Sequence, residues 1–126
     1  MLIRLDSHDL SERIIGCAIE VHRRLGPGLL ESVYEAALAI EFRNAKLKFK
    51  RQIGIPVLYK GELIGEHRPD FIVDDTIVVE IKRVERLDPV HIAQMITYLK
   101  MTELHSGLIL NFNVAALRAG IRRVVY

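Results

Sequence analysis

The sequence predicts an α/β fold with elements in the order α-α-β-β-β-α-β, followed by a further C-terminal strand. Three observations carry this. Apolar side chains recur every three or four positions over residues 8–46, alternate with polar ones from residue 47, and run unbroken at Gly107-Leu108-Ile109-Leu110. The first pattern is helical, the second suits strands with one covered face, and the third suits a short strand buried on both faces. The chain has 126 residues, of which 50% are hydrophobic and 27% charged. That is enough for one hydrophobic core, so residues 1–126 are expected to form a single domain.

Taken in order, Leu10, Ile14, Cys17, Val21 and Leu25 make one stripe of a helix over residues 8–25, with Ser7 or Asp9 as its cap. Gly26-Pro27-Gly28 ends it, since glycine accepts left-handed backbone and proline has no donor. A second helix is expected over residues 29–46. Leu30, Val33, Ala37 and Ile40 form one stripe and Tyr34, Leu38 and Phe42 another, a wide apolar face suited to covering a sheet. A strand then runs from Lys48 past Gly54 to Tyr59 and turns at Lys60-Gly61 or Gly61-Glu62. The next passes through Ile64 towards Phe71 and Val73, and Asp74-Asp75 turns into a β-branched strand over residues 76–84. These three read as an antiparallel meander. Asp88 caps a third helix with Pro89 at its first position, and Ile92, Met95, Ile96 and Leu99 form its apolar face, with an end near Glu103 or His105. Residues 111–113 read as a loop and residues 121–126 as the last strand.

Several function classes find no support. Cys17 is the only cysteine, which allows no internal disulfide and no thiolate zinc cluster. His8, His22, His67, His91 and His105 show no metal-binding spacing. Gly26-Pro27-Gly28 lacks the Lys-Ser/Thr of a phosphate loop, and neither Ser32 nor Ser106 sits in a nucleophile elbow. Residues 1–6 carry no apolar stretch behind a basic start, and no apolar run approaches the ~18 residues of a membrane span. A cytoplasmic protein without a membrane anchor is the expectation. Net charge is only +2, and the clusters Lys46, Lys48, Lys50, Arg51 and Arg118, Arg122, Arg123 read first as solvated faces.

The chemistry concentrates at the end of the third strand. Glu80 and Lys82 are two apart, so both point to one face of a strand that is otherwise apolar. A mutual ion pair accounts for them, and so does a site. Asp70 lies ten residues before Glu80, with the Asp74-Asp75 turn between them. Antiparallel pairing across that turn sets the two carboxylates side by side, where a hard divalent cation would relieve their repulsion. Glu31 and Glu35 share a helix face; acids favoured by the helix N-terminus explain them equally well. His91, Gln94 and Tyr98 form a polar stripe on the third helix, for which a solvated face is the alternative.

Pro69-Asp70 followed by Glu80-Ile81-Lys82 resembles the motif of the PD-(D/E)XK nuclease superfamily. Gly28-Leu29-Leu30-Glu31-Ser32-Val33-Tyr34 resembles the signature of its GxxExxY branch, and the similarity continues through Gln52, Tyr59, Pro89, His91, Gln94, Tyr98-Leu99-Lys100 and the segment from Gly107 to Phe112. Phe71 stands where an aliphatic residue is more usual. The resemblance implies a restriction-endonuclease-like αα-βββ-αβ core, a mixed sheet flanked by helices. It further implies that Asp70 and Glu80 hold Mg²⁺ or Mn²⁺ with the Ile81 carbonyl as third ligand, and that Lys82 orients or activates the attacking water. Glu31 would complete the site, and Gln94 would contact Lys82 or phosphate. The implied activity is metal-dependent hydrolysis of phosphodiester bonds in DNA or RNA, with Lys48, Lys50 or Arg83 as phosphate contacts. The alternative is a nuclease-fold module that binds nucleic acid or a protein partner without cleaving. A homodimer through the Val124-Val125-Tyr126 strand is compatible with either.

Overall fold

A computed structural model describes residues 7–126; the reading of the N-terminus made from residues 1–6 lies outside the described residues. Helix α1 spans Ser7–Leu25 and buries Leu10, Ile14 and Val21, while Cys17 is half-buried and Leu25 exposed. Ser7 opens the described helix and Asp9 lies in its first turn rather than before it. The Gly26 N–H bonds back to the His22 carbonyl at 2.8 Å, and Gly26 and Gly28 take φ of +69° and +98°. Both angles lie in the region a side chain resists, so the glycines are what let the chain reverse here.

Helix α2 spans Glu31–Asn44, with extended Leu30 as its N-cap. The Tyr34 hydroxyl fastens the loop before it. It donates to the Gly26 carbonyl at 2.6 Å and accepts the Leu29 N–H at 3.1 Å, while its ring stacks on Phe112 at 4.4 Å. In the Gly28-x-x-Glu31-x-x-Tyr34 segment, the glycine makes the bend, the tyrosine locks it, and the glutamate becomes the first residue of α2. Tyr34→Phe is expected to cost about 1–3 kcal/mol, because it leaves a half-buried carbonyl and amide without their partner. Thermal unfolding should show a drop of roughly 3–10 °C; an unchanged midpoint would mean the hydroxyl does not hold this loop.

The wide apolar face expected of α2 divides. Tyr34, Leu38 and Phe42 are buried, but Leu30, Val33 and Ile40 are exposed. The helix turns its aromatic stripe inward, where the larger ring areas leave water. Phe42, Phe49 and Phe71 then meet in edge-on and tilted contacts at 5.0–5.6 Å. Phe71 is thus a packing residue.

Among the described residues the strands form two sheets. Strands β1 (Phe49–Arg51), β4 (Phe71–Val73), β5 (Ile77–Lys82), β6 (Ser106–Asn111) and β7 (Ile121–Val125) make a five-stranded sheet in the order β1-β4-β5-β6-β7. β5 and β6 are parallel and the other pairs antiparallel, so the sheet is mixed. Strands β2 (Ile55–Tyr59) and β3 (Glu62–His67) form a separate hairpin closed by left-handed Lys60 and Gly61. Each of the first two expected strands therefore breaks in two. Gln52 takes φ of +50°, which ends β1 at Arg51 and sends the chain out of the sheet.

Asp74 and Asp75 both have positive φ, +52° and +49°, and the Thr76 N–H bonds the Val73 carbonyl at 3.0 Å. This two-residue turn fits the strand twist and fixes the register of β4 on β5. Helix α3 spans Pro89–Thr102, capped by Asp88 and ended by left-handed Glu103. A 3₁₀ turn at Leu117–Gly120, absent from the sequence pattern, leads into β7.

Successive residues of the central strand face opposite layers. Ile77, Val79 and Ile81 pack in one apolar cluster with α1 and α2, and Val78 packs in the other with Met95, Tyr98 and Leu99 of α3. The result is the mixed α/β sandwich that a restriction-endonuclease-like core requires. No described helix is long and apolar enough to cross a membrane.

Candidate metal centre

Strand β5 is buried from Ile77 to Ile81 and reaches the sheet rim at Lys82. Phe71 pairs with Val79 across the turn, and continuing that register brings Asp70 opposite Glu80. The two carboxylates interlock: Glu80 Oε1 accepts the Asp70 N–H at 2.6 Å, and Asp70 Oδ2 accepts the Ile81 N–H at 2.8 Å. Glu80 is only 6% exposed.

Burial is the main force on both acids. It raises Asp70 to about 7, with added push from Glu35 and Glu31 and a counter-pull from the Ile81 amide. Glu80 rises to about 8, through burial first and the Asp70 charge second, opposed by the Asp70 amide and by Lys82. Both groups thus resist carrying full charge side by side. The Tyr98 hydroxyl is pushed up to about 12 by its burial and then by the charges of Glu80 and Asp70.

Among the described residues, no three carboxylate, imidazole or thiol groups converge tightly enough to enclose a cation. Two convergent carboxylates nevertheless fit a hard cation, since Mg²⁺ keeps several waters and takes only one or two protein carboxylates. A cation there would also offset the repulsion between acids that adds to the effect of burial.

Lys82 Nζ lies 4.0 Å from Glu80 Oε2 and donates to Gln94 Oε1 at 3.0 Å. The stripe expected on α3 therefore does not serve only as a solvated face. Gln94 holds Lys82, Tyr98 is buried beside the acids, and the His91 ring accepts the Asp88 N–H at 2.9 Å to cap the helix. The loop after Lys82 is tied down by buried Asn111. Its side-chain amide accepts the Val84 N–H at 3.2 Å and donates to the Val84 carbonyl at 2.9 Å. The sequence pattern puts Asn111 in a loop, but it closes β6.

Glu31 and Glu35 differ in their surroundings. Glu31, at the start of α2, is exposed, yet its charge raises both Asp70 and Glu80. It borders a depression of about 450 Å³ with Leu30, Ser32 and Arg83. Glu35 is buried, and both its oxygens are engaged: Arg51 Nη2 donates to Oε2 at 2.9 Å and Gln52 Nε2 to Oε1 at 2.6 Å. Gln52 Nε2 also donates to Asp70 Oδ1 at 3.0 Å. Sequence spacing does not single out Arg51, Gln52 and Glu35 as one group. The readable signal is Glu35 itself, a charge next to Tyr34 and four before Ala39, inside the buried face of α2.

Two expected phosphate contacts stand elsewhere. The Lys48 carbonyl accepts the Asp74 N–H, and Lys50 pairs with Asp75 at 3.0 Å. Lys48 lies beside Asp74 at the turn, roughly 13 Å of strand from Asp70, while Lys50 stands opposite Ile72, roughly 7 Å from Asp70, with its ammonium reaching to the turn. The turn that sets the register thus holds the Lys50 ammonium on its own Asp75 carboxylate. Arg83, by contrast, sits at the rim beside Glu31.

No curated protein and no solved structure matches the chain significantly. The family model of the PD-(D/E)XK nuclease superfamily matches residues 8–124, which includes every element from α1 to β7 except the ends. With the mixed sheet, the flanking helices and the paired acids at its rim, the chain belongs to the PD-(D/E)XK nuclease superfamily.

Proposed function

We propose that the protein is a metal-dependent nuclease of the GxxExxY branch, acting on phosphodiester bonds of DNA or RNA. Residues 1–126 act as one domain, with Asp70, Glu80 and the Ile81 carbonyl as ligands of Mg²⁺ or Mn²⁺. The reading rests on one observation above others: a buried carboxylate, Glu80, and a half-buried one, Asp70, meet across β4 and β5, with Lys82 Nζ 4.0 Å from Glu80. Such a cation would polarise a phosphate oxygen and lower the pKa of a bound water. Lys82 aligns that water or steadies the phosphate, and Gln94 holds Lys82 through its side-chain oxygen. Glu31, at the start of α2, would hold a water of that site, a role supported by its charge effect on Asp70 and Glu80. Arg83 is the basic residue best situated for a flanking phosphate. Two copies joined at the exposed β7 edge, where Val125 is 81% exposed, would suit the cutting of two strands. The lone Cys17 is compatible with a cytoplasmic setting.

Calorimetry with Mn²⁺ tests the metal site directly. Wild-type protein is expected to take up Mn²⁺ and Glu80→Ala to lose it, since one carboxylate of the pair is gone. In parallel, single-stranded, double-stranded and branched DNA and RNA are incubated with the protein and Mg²⁺ or Mn²⁺. Wild type that takes up no metal even with DNA present would overturn the reading. Metal uptake without cleavage of any substrate would leave a binding module instead.

A further inference from the structure

Gln52 and Arg51 are adjacent in the sequence, yet both reach the same carboxylate. In a regular strand, neighbours point to opposite faces and cannot do so. The left-handed backbone at Gln52, φ +50°, breaks the alternation and turns its side chain back over Glu35. A residue with a Cβ adopts that conformation at a cost, so something around it over-determines it. Three contacts do. The Gln52 amide donates to Glu35 at 2.6 Å and to Asp70 at 3.0 Å, and its backbone N–H donates to the Asp70 carbonyl at 3.2 Å. Glu35 in turn is held by two guanidinium bonds from Arg51, at 3.2 and 2.9 Å.

We infer that Gln52 is the positioning residue for Asp70, an uncharged clamp anchored on the Arg51–Glu35 pair that fixes the Asp70 carboxylate for a divalent cation. This rests on the metal-centre reading above and adds the part that aims one of its ligands. The chemistry of the amide suits the task. A lysine at this place would neutralise Asp70 and compete with the cation, whereas an amide orients the oxygen and leaves its charge available. Hydrogen bonds to a ligand carboxylate commonly govern metal affinity in this way. The clamp also explains why Glu35, though buried near Asp70, serves as an anchor: both its oxygens are already taken.

Two variants separate this role from a structural one. Gln52→Gly removes the side chain and suits the left-handed backbone, and Gln52→Asn tolerates that backbone but is one methylene too short to bridge both carboxylates. Mn²⁺ affinity is measured by calorimetry, and the melting temperature is measured in chelator. Both variants are expected to bind Mn²⁺ ~10- to 100-fold more weakly than wild type, with metal-free melting temperatures within a few degrees of it. Either variant binding Mn²⁺ as tightly as wild type would overturn the inference, as would a loss of metal-free stability without loss of affinity. Wild type that takes up no Mn²⁺ would instead overturn the metal-centre reading, and this inference with it.

Discussion

Lys82→Ala is expected to lower cleavage by about 10²- to 10⁴-fold, the range typical of a lost proton-handling or water-aligning group, while Mn²⁺ affinity stays equal or tightens. The two effects differ because Lys82 and the carboxylates have different tasks. Lys82 Nζ sits 4.0 Å from Glu80 and is held by Gln94 at 3.0 Å, so it can reach a water or phosphate beside the acids without belonging to their pair. Its charge also lowers the Glu80 pKa, which means it stabilises the Glu80 anion in place of a cation. Removing it leaves the anionic pair with one competitor fewer. A variant that merely misfolds would lose metal binding and cleavage together. Retained cleavage with the pure variant would show that another group does the chemistry.

How far the sequence speaks for itself depends on whether a feature is set by neighbours or by distant packing. The three helices, the Asp74-Asp75 turn and the facing of Asp70 and Glu80 are local: periodicity, a two-residue turn and alternation by two settle them. That is why spacing alone is enough to pair the acids. The break of the first two strands is different. It hangs on left-handed Gln52, a residue type with no special liking for that backbone, held there by carboxylates 17 and 18 positions away. No local pattern announces such a contact. The rotation of α2 is equally hidden. Two apolar stripes compete for one face, and the choice of Tyr34 and Phe42 over Val33 and Ile40 is made by Phe49, Phe71 and Phe112, which come later in the chain. Lys48 and Lys50 look like phosphate contacts because charge is visible in a sequence while the end of the sheet that it lands on is not.

The acid pair makes a second large effect measurable without any substrate. In chelator, the protein is expected to lose stability as pH rises from about 5 to about 8. Burial raises Asp70 to about 7 and Glu80 to about 8, so over this window the folded protein holds protons that the unfolded chain has already released. A raised carboxyl contributes its full stability below the unfolded value near 4, and that contribution disappears as pH climbs through the folded value. Every tenfold difference in proton affinity between the folded and unfolded chain corresponds to about 1.4 kcal/mol. The loss should be on the order of a few kcal/mol, or roughly 10 °C in melting temperature. Saturating Mn²⁺ should reverse the trend. It binds the deprotonated pair, so its stabilisation grows with pH, and at about 100 times Kd it reaches about 2.7 kcal/mol. Glu80→Gln isolates the contribution of the pair from that of the rest of the protein. The variant should melt higher than wild type at pH 8 in chelator, because a repelled charge is gone, and Mn²⁺ should no longer raise it. A wild-type melting temperature that climbs from pH 5 to 8 in chelator, or a Mn²⁺ shift that survives in Glu80→Gln, would mean that these two carboxylates do not form the cation's site.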